Sequence, residues 1–301
     1  MQRRRLGKLW MVGLCAAVVG CQDAQGGEIA RDVGLETEAI VADLIHAGYS
    51  EADIDIDDDG TIVVQRDIMI DPETYGGPAE TRFRQFHTNN LIASSYEQIE
   101  IYASRELQQD HDFVDSIKTA IDKWNASPLA LRFRFSYVTC PPFPDFDNKF
   151  GSISIRPMEA PPACGTVDPS NPTDDTYAQS SFPTARGAPG GEIKVNPCVL
   201  TAPKKAQVYT LMHEIGHAVG LRHTDYATRA SCTGGTGESA DPDGAHPIDG
   251  TPGNDDAAPG QSPDPASVMN ACFSTPALAE DPSWSAADVK AINHLYGRSG
   301  S

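Results

Sequence analysis

Residues 213–223 read HEIGHAVGLRH, which places three imidazoles and one carboxylate within eleven positions. His213 and His217 stand four apart, so on a helix they project from one face, one turn apart. Two imidazoles held that way can bind one metal ion, and zinc is the ion this pattern suits. Glu214 stands beside them, close enough to hold a zinc-bound water without ligating the ion. As general base it can take that water's proton and later pass it to a leaving amine. His223 comes six residues after His217 and would lie far round the cylinder if the helix continued. Gly220 can adopt φ > 0, end the helix and let the chain return His223 to the same ion. Three histidines leave the fourth zinc position open, which is the coordination of a catalytic site.

The surrounding stretch, AQVYTLMHEIGHAVGL, carries Val208, Leu211, Ile215 and Val219 as an apolar stripe roughly opposite His213 and His217. It predicts an amphipathic helix with one side in the core. HExxH also occurs on surface helices with incidental histidines, and the added Gly220 and His223 set that reading aside.

A scaffold for this helix is legible upstream. HDFVDSIKTAIDKWN puts Phe113, Ile117, Ile121 and Trp124 on one helical face. LALRFRFSYV alternates Leu129, Leu131, Phe133 and Phe135 against Arg132 and Arg134, a half-buried strand. IEIYAS, GSISIRP and GEIKVNP read as further strands. The order strand, helix, three strands, helix points to an α+β domain over 96–301, a mixed sheet backed by helices. Before it, residues 35–50 predict a short helix. DIDIDDDGTIVVQRDIMI predicts a strand, an Asp/Gly turn and a second strand. Asp55, Asp57, Asp59 and Gly60 fall at calcium-loop offsets. Arg66 stands where that loop needs a bidentate Glu, so Ca2+ is unsupported and a solvated turn is expected. DPETYGGPAE (71–80) reads as a linker. Residues 231–266 are Gly-, Pro- and Asp-rich, and a mobile surface loop is expected there.

The chain of 301 residues carries a formal charge of −19. An acidic surface repels phosphate backbones and anionic lipid headgroups, so nucleic acid is excluded as a partner. At the N-terminus a basic start precedes the apolar run Leu9–Gly20, too short to span a bilayer and fitting a signal peptide over 1–20. Val18-Val19-Gly20-Cys21 resembles a bacterial lipobox, in which Cys21 is lipidated; ordinary cleavage nearby is the alternative. Loss of Arg3, Arg4, Arg5 and Lys8 would take the net charge to about −23. The expectation is an exported protein, on the outer membrane of a Gram-negative bacterium or extracellular, meeting the membrane through lipid alone, and monomeric. Five cysteines remain: Cys140, Cys164, Cys198, Cys232 and Cys272. None is in a CxxC or CxxH arrangement, so disulfides are expected, with at least one thiol left over. Cys140–Cys164 and Cys232–Cys272 are the expected pairs, though spacing alone does not fix the connectivity.

HEIGHAVGLRH matches the extended motif of the metzincin zinc endopeptidases, which the sequence resembles. That resemblance implies a Met-turn beneath the metal, and SVMNACF offers Met269. WSAADVKAINHLYG resembles a matrixin C-terminal helix, with Ser285 and Asp288 as a capping pair and Val289, Ile292 and Leu295 on one face. HEIGHAVGLRHTDY, Cys232 with Cys272, DGTPG and the Met-turn together are most similar to the bacterial M57-type HEIGH metallopeptidases. The likeness spans most of 35–297 and is strongest over 206–297. It implies a zincin catalytic domain preceded by a tether and pro-region over 21–95. YAQSSFPTAR resembles the edge strand over a metzincin cleft, so Ala178, Ser180 and Phe182 become candidate contacts for an extended peptide substrate. No cysteine lies between Cys21 and the catalytic domain, so a cysteine switch has no source, and Ala271 stands where astacins carry a tyrosine ligand. The resulting expectation is a zinc endopeptidase acting on peptide or protein substrates. The alternative is a non-catalytic surface lipoprotein that keeps the fold for binding, and the intact Glu214 argues against it.

Overall fold

The computed structural model describes residues 33–46, 54–57, 61–64, 68–70, 85–127, 129–137, 150–159, 177–232, 237–240, 242–251, 262–272 and 281–297. The signal segment 1–20, Cys21, Asp59, Gly60, the 71–80 linker, Cys140 and Cys164 lie outside them. In chain order the elements begin with α1 (Val33–His46), β1 (Ile54–Ile56), β2 (Ile62–Val64), β3 (Ile68–Ile70), β4 (Phe86–His87) and β5 (Gln98–Ala103). Next come α2 (His111–Ala126), β6 (Arg132–Tyr137), β7 (Phe150–Pro157), β8 (Ala178–Ser181) and β9 (Glu192–Val195). The last are α3 (Cys198–Thr201), α4 (Lys204–Ala218), β10 (His246–Pro247) and α5 (Ala286–Tyr296).

Eight strands form one mixed sheet in the order β1-β2-β3-β8-β9-β7-β5-β6. β5 pairs parallel with β6 and β7, and β7 with β9, while β8 runs antiparallel to β9. Alternation decides the faces. Ile99, Ile101 and Ala103 of β5 are fully buried in the core, and Glu100 between them accepts from Gln98 and Ser136 away from it. α2 starts at Asp110, whose carboxylate accepts from the Phe113 N–H at 3.0 Å. It buries the expected Phe113, Ile117, Ile121 and Trp124. The Trp124 indole then donates to the Met212 carbonyl on α4 at 3.3 Å, locking the two helices together.

The structure departs from the expected one-sided character of α4. Every residue from Ala206 to Ala218 is buried, His213, Glu214 and His217 included. The reason is that α4 is enclosed. α2, β8 and β9 pack on it, and the 267–269 turn covers it elsewhere, with the Tyr209 hydroxyl donating to the Ser267 carbonyl at 2.9 Å. On α5 the buried face is Asp288, Ala291, Ile292 and Tyr296, one step round from the expected stripe.

The N-terminal unit is part of the sheet. The expected second strand divides into β2 and β3, and β3 pairs parallel with β8 at Ile68–Ser180 and Met69–Ser181. The side of β8 expected to be an edge is therefore covered by β3. Asp57, in the acidic turn, reaches the ammonium of Lys194 on β9 at 3.0 Å, and Lys194 also donates to the Thr61 hydroxyl. Lys194 is only 3% exposed, so this turn caps a buried charge rather than pointing wholly to solvent. Residues 85–92, expected on the pro-region side of the boundary, bond across to the α4 exit: Thr88 N–H to the Gly220 carbonyl, and Arg222 N–H to the Phe86 carbonyl.

Cys232–Cys272 is a disulfide, as expected. Cys198 is also disulfide-bonded, whereas the expected pairing left it over. Cys198 sits at the start of α3, buried against the core, where a pairing guess from loop composition alone had no purchase.

Asp288 ties α5 to the turn under α4. It completes the expected capping box with Ser285 and accepts from the Val268 N–H at 2.9 Å, Ser267 Oγ at 2.6 Å and Gln85 Nε2 at 2.9 Å. Burial pushes its pKa up to about 6 despite those donors. The native carboxyl thus takes a proton near pH 6, whereas the unfolded one waits until about pH 4. Its contribution to stability is full below about 4 and is lost as pH rises through about 6. In zinc-free buffer, the unfolding free energy of wild type relative to Asp288→Asn should therefore grow as pH falls from about 7.5 to about 4.5. A pH-independent difference in urea titrations would contradict this.

Candidate metal centre

α4 delivers two of the three histidines directly. Its exit delivers the third through a defined C-cap. The Gly220 N–H donates to the His217 carbonyl at 2.8 Å and the Leu221 N–H to the Gly216 carbonyl at 2.9 Å, the two bonds of a Schellman motif. Gly220 has φ 98°, as the sequence demanded. A Cβ there would also meet Leu91 at 3.0 Å and the Asn90 carbonyl at 3.1 Å. The reversal brings His223 back over the helix. His223 Nε2 lies 3.2 Å from His217 Nε2 and 3.3 Å from His213 Nε2. Tetrahedral zinc with nitrogens at about 2.05 Å requires ligand separations of about 3.3 Å. Among the described residues this is the cluster of His, Cys, Asp and Glu side chains that can hold a metal ion, and all three members are buried.

Each ring is fixed from behind. His213 Nδ1 faces the Val268 carbonyl and His217 Nδ1 the Leu221 carbonyl, both at 2.8 Å. A carbonyl only accepts, so both Nδ1 atoms carry the proton and both Nε2 lone pairs face the shared centre. His223 Nδ1 donates instead to a carboxylate, Glu238. Glu238 also pairs with Arg222 at 3.3 Å and lies 4.0 Å from Arg229. Burial alone would push the Glu238 carboxyl up, but His223, Arg222 and Arg229 outweigh it and hold it below the usual carboxylate range. Phe182 closes one side with its ring edge-on to His217, the centroids 5.5 Å apart.

The expected Met269 is 2% exposed and packs against the helix at Gly216. Its turn is held by the Thr224 N–H donating to the Met269 carbonyl at 2.7 Å and by the Thr224 and Ser267 hydroxyls, 2.6 Å apart. Asp225 is fully buried and accepts from Ala271 N–H at 3.0 Å and Ser231 N–H at 2.7 Å, so the segment after the third histidine clamps both the turn and the disulfide loop. Of the sequence-named residues, His213, His217 and His223 come together with Phe182 against His217, Glu214 is buried on the same helix, and Met269 packs beneath it at Gly216. Ala178 and Ser180 lie on β8 beside β3. Glu238, Arg222 and Gly216 escaped the sequence reading. Arg222, next to a ligand and destined for burial, was the one signal that an acid must be supplied from elsewhere.

No curated protein matches the chain. The family model for a dual-action HEIGH metallo-peptidase matches residues 62–296. Among solved structures, myroilysin is similar at 13% identity over 71% of this chain and 98% of that chain, with a TM-score of 0.38. Metalloproteinase-II from Bacteroides fragilis is similar at 11% identity over 73% of this chain and 60% of that chain, with a TM-score of 0.32.

Gly216 tests the packing under the helix. Gly→Ala in a helix interior ordinarily stabilises by about 1 kcal/mol. Here the new methyl would run into Met269 Sδ inside a filled core, where overpacking costs about 1–3 kcal/mol. Gly216→Ala should therefore leave the melting temperature unchanged or lower it. A gain of the full helix-propensity increment in calorimetry would show that Met269 yields freely.

Proposed function

Because the chain belongs to the dual-action HEIGH metallo-peptidase family and is a metalloprotease, we propose that it is a metzincin-type zinc endopeptidase in which His213, His217 and His223 hold one zinc ion and Glu214 is the general base. The observation that carries this reading is the convergence of the histidine Nε2 atoms at 3.2 and 3.3 Å, beside a buried glutamate on the same helix. When bound, zinc supplies Lewis acidity, raising the acidity of a water and polarising the scissile carbonyl. The protein's part is to accept and return a proton. Glu214 follows His213 directly and is 3% exposed, so its carboxylate works in a desolvated setting where a proton taken from water is held for the leaving amine. The Val268 and Leu221 carbonyls keep Nδ1 of His213 and His217 protonated and leave the lone pairs for the metal. Met269 is the apolar floor, packed on Gly216.

We read β8 as the strand that aligns substrate, with Ala178 and Ser180 on it and Phe182 just beyond, against His217. In the intact chain β3 covers that strand. This supports the part of the expected 21–95 pro-region that ends at β3 as the piece occupying the peptide-pairing side of β8, with no cysteine needed for latency, while residues 85–92 stay with the α4 exit. The Cys232–Cys272 disulfide is in keeping with an exported protein; the lipid anchor at Cys21 remains a proposal from its lipobox.

Glu214→Gln should lower cleavage of casein or a quenched peptide by about 10²-fold or more with zinc still bound, and chelation of the wild type should abolish it. Equal turnover by the zinc-loaded variant would overturn the base assignment. Cutting the chain between β3 and β4 should raise cleavage. A cut that lowers cleavage while β3 dissociates would instead make the hairpin a structural part of the catalytic domain.

A further inference from the structure

The three histidines are not supported alike. His217 is held by the carbonyl of Leu221, in the turn that ends its own helix, and His213 by the carbonyl of Val268. Both acceptors are neutral. His223 lies beyond α4, with no helical backbone to fix it, and its Nδ1–H donates to the carboxylate of Glu238, fifteen residues on. Glu238 is fully buried at its side chain, and so is the guanidinium that answers it: Arg222 is 1% exposed there.

The loop carrying Glu238 is built around that guanidinium. Arg222 donates to the carbonyls of Ala240 at 3.2 Å, Gly244 at 2.8 Å and Ser239 at 3.0 Å, and its side chain stacks on the Tyr226 ring at 5.1 Å. Arg229 takes φ 46°, left-handed backbone unusual for a long side chain, and lies 4.0 Å from the Glu238 carboxylate. The Glu238 N–H returns to the Tyr226 carbonyl at 2.7 Å. Two arginines, an aromatic face and a strained turn thus converge on one carboxylate that touches one histidine. A buried ion pair alone gives little net stability. A carboxylate behind a metal-binding imidazole fixes its ring and strengthens its nitrogen as a donor.

We propose that Glu238 is a positioning residue for the metal, which sets the tautomer, orientation and donor strength of His223, with Arg222 and Arg229 fixing its carboxylate. This rests on reading the three histidines as the zinc site, and it makes the loop after His223 part of the metal centre.

The test measures metal binding on the full chain without reference to peptidase activity. Zinc affinity is read by competition with a chromophoric chelator, and cobalt(II) absorption reports the ligand field. Glu238→Gln keeps the side-chain length but loses the charge. Glu238→Asp keeps the charge facing Arg222 but is one methylene short of His223. Both should bind zinc about 10–100-fold more weakly with a shifted cobalt spectrum, while the near-ultraviolet circular dichroism of folded protein is retained. Wild-type affinity and an unaltered cobalt spectrum in either folded variant overturn the proposal. Should the Glu238→Gln protein fail to fold because Arg222 is left buried and uncompensated, the Glu238→Asp variant, whose ion pair is preserved, decides. Absence of zinc binding by wild type, with His223→Ala as its reference, would instead sink the zinc-site reading.

Discussion

Three converging imidazole nitrogens, that of His223 3.2 and 3.3 Å from those of His217 and His213, out of water, are the constraint on which the rest of this structure depends. Without a cation they offer one another no attraction, and burial strips them of solvent. Their convergence must therefore be imposed by groups that have other reasons to be where they are. α4 is fixed first, enclosed by α2, the sheet and the 267–269 turn, with Trp124 bonded to its backbone at Met212. The chain's reversal at Gly220 is fixed next by two backbone bonds and by residues 88–91 packed against it.

Each support recruits a more distant part of the chain. Leu221 is local to His217. Val268 reaches His213 from a turn pinned by Asp288 on α5 and by Gln85 from before β4. Glu238 reaches His223 from a loop wrapped on Arg222 and tethered by Cys232–Cys272. The metal centre is thus where the helix core, the C-terminal helix and the long loop meet. Their packing and the site's geometry are one problem, because the groups that orient the rings belong to segments that also tie these elements together.

What the sequence disclosed follows from how local each signal was. HExxH, the φ > 0 requirement at Gly220, the Asp288 capping pair and the apolar face of α2 all depend on residues within a turn or two of one another, and each was legible. The full burial of α4 was not. Its polar side carries the ligands and Glu214, so periodicity made it look solvent-facing when it faces the site. Gly216 carried no local signal, because its neighbour Met269 is far away along the chain. Glu238 sat in a Gly/Pro/Asp-rich stretch whose composition resembles a mobile loop, and only tertiary contact with Arg222 distinguishes it. The cysteine pairing failed at Cys198 for the same reason, since loop composition says nothing about which buried sulfur is near.

The same contrast bears on β8. A short strand running antiparallel to β9, beside the parallel strands β9, β7, β5 and β6, presents a row of backbone groups on its other side, and such a row attracts another strand. In this chain the row is met by its own β3, held by Asp57 and Thr61 on Lys194 of β9. Lys194 is 3% exposed, with Asp57 and Thr61 over its ammonium. Departure of the hairpin would take Asp57 and Thr61 from the ammonium and free the side of β8 that leads to Phe182 and His217. Ile62, Val63 and Met69 of the hairpin are buried outside the hydrophobic cluster that α2 and α5 fill, so loss of the hairpin would cost their burial without opening that interior.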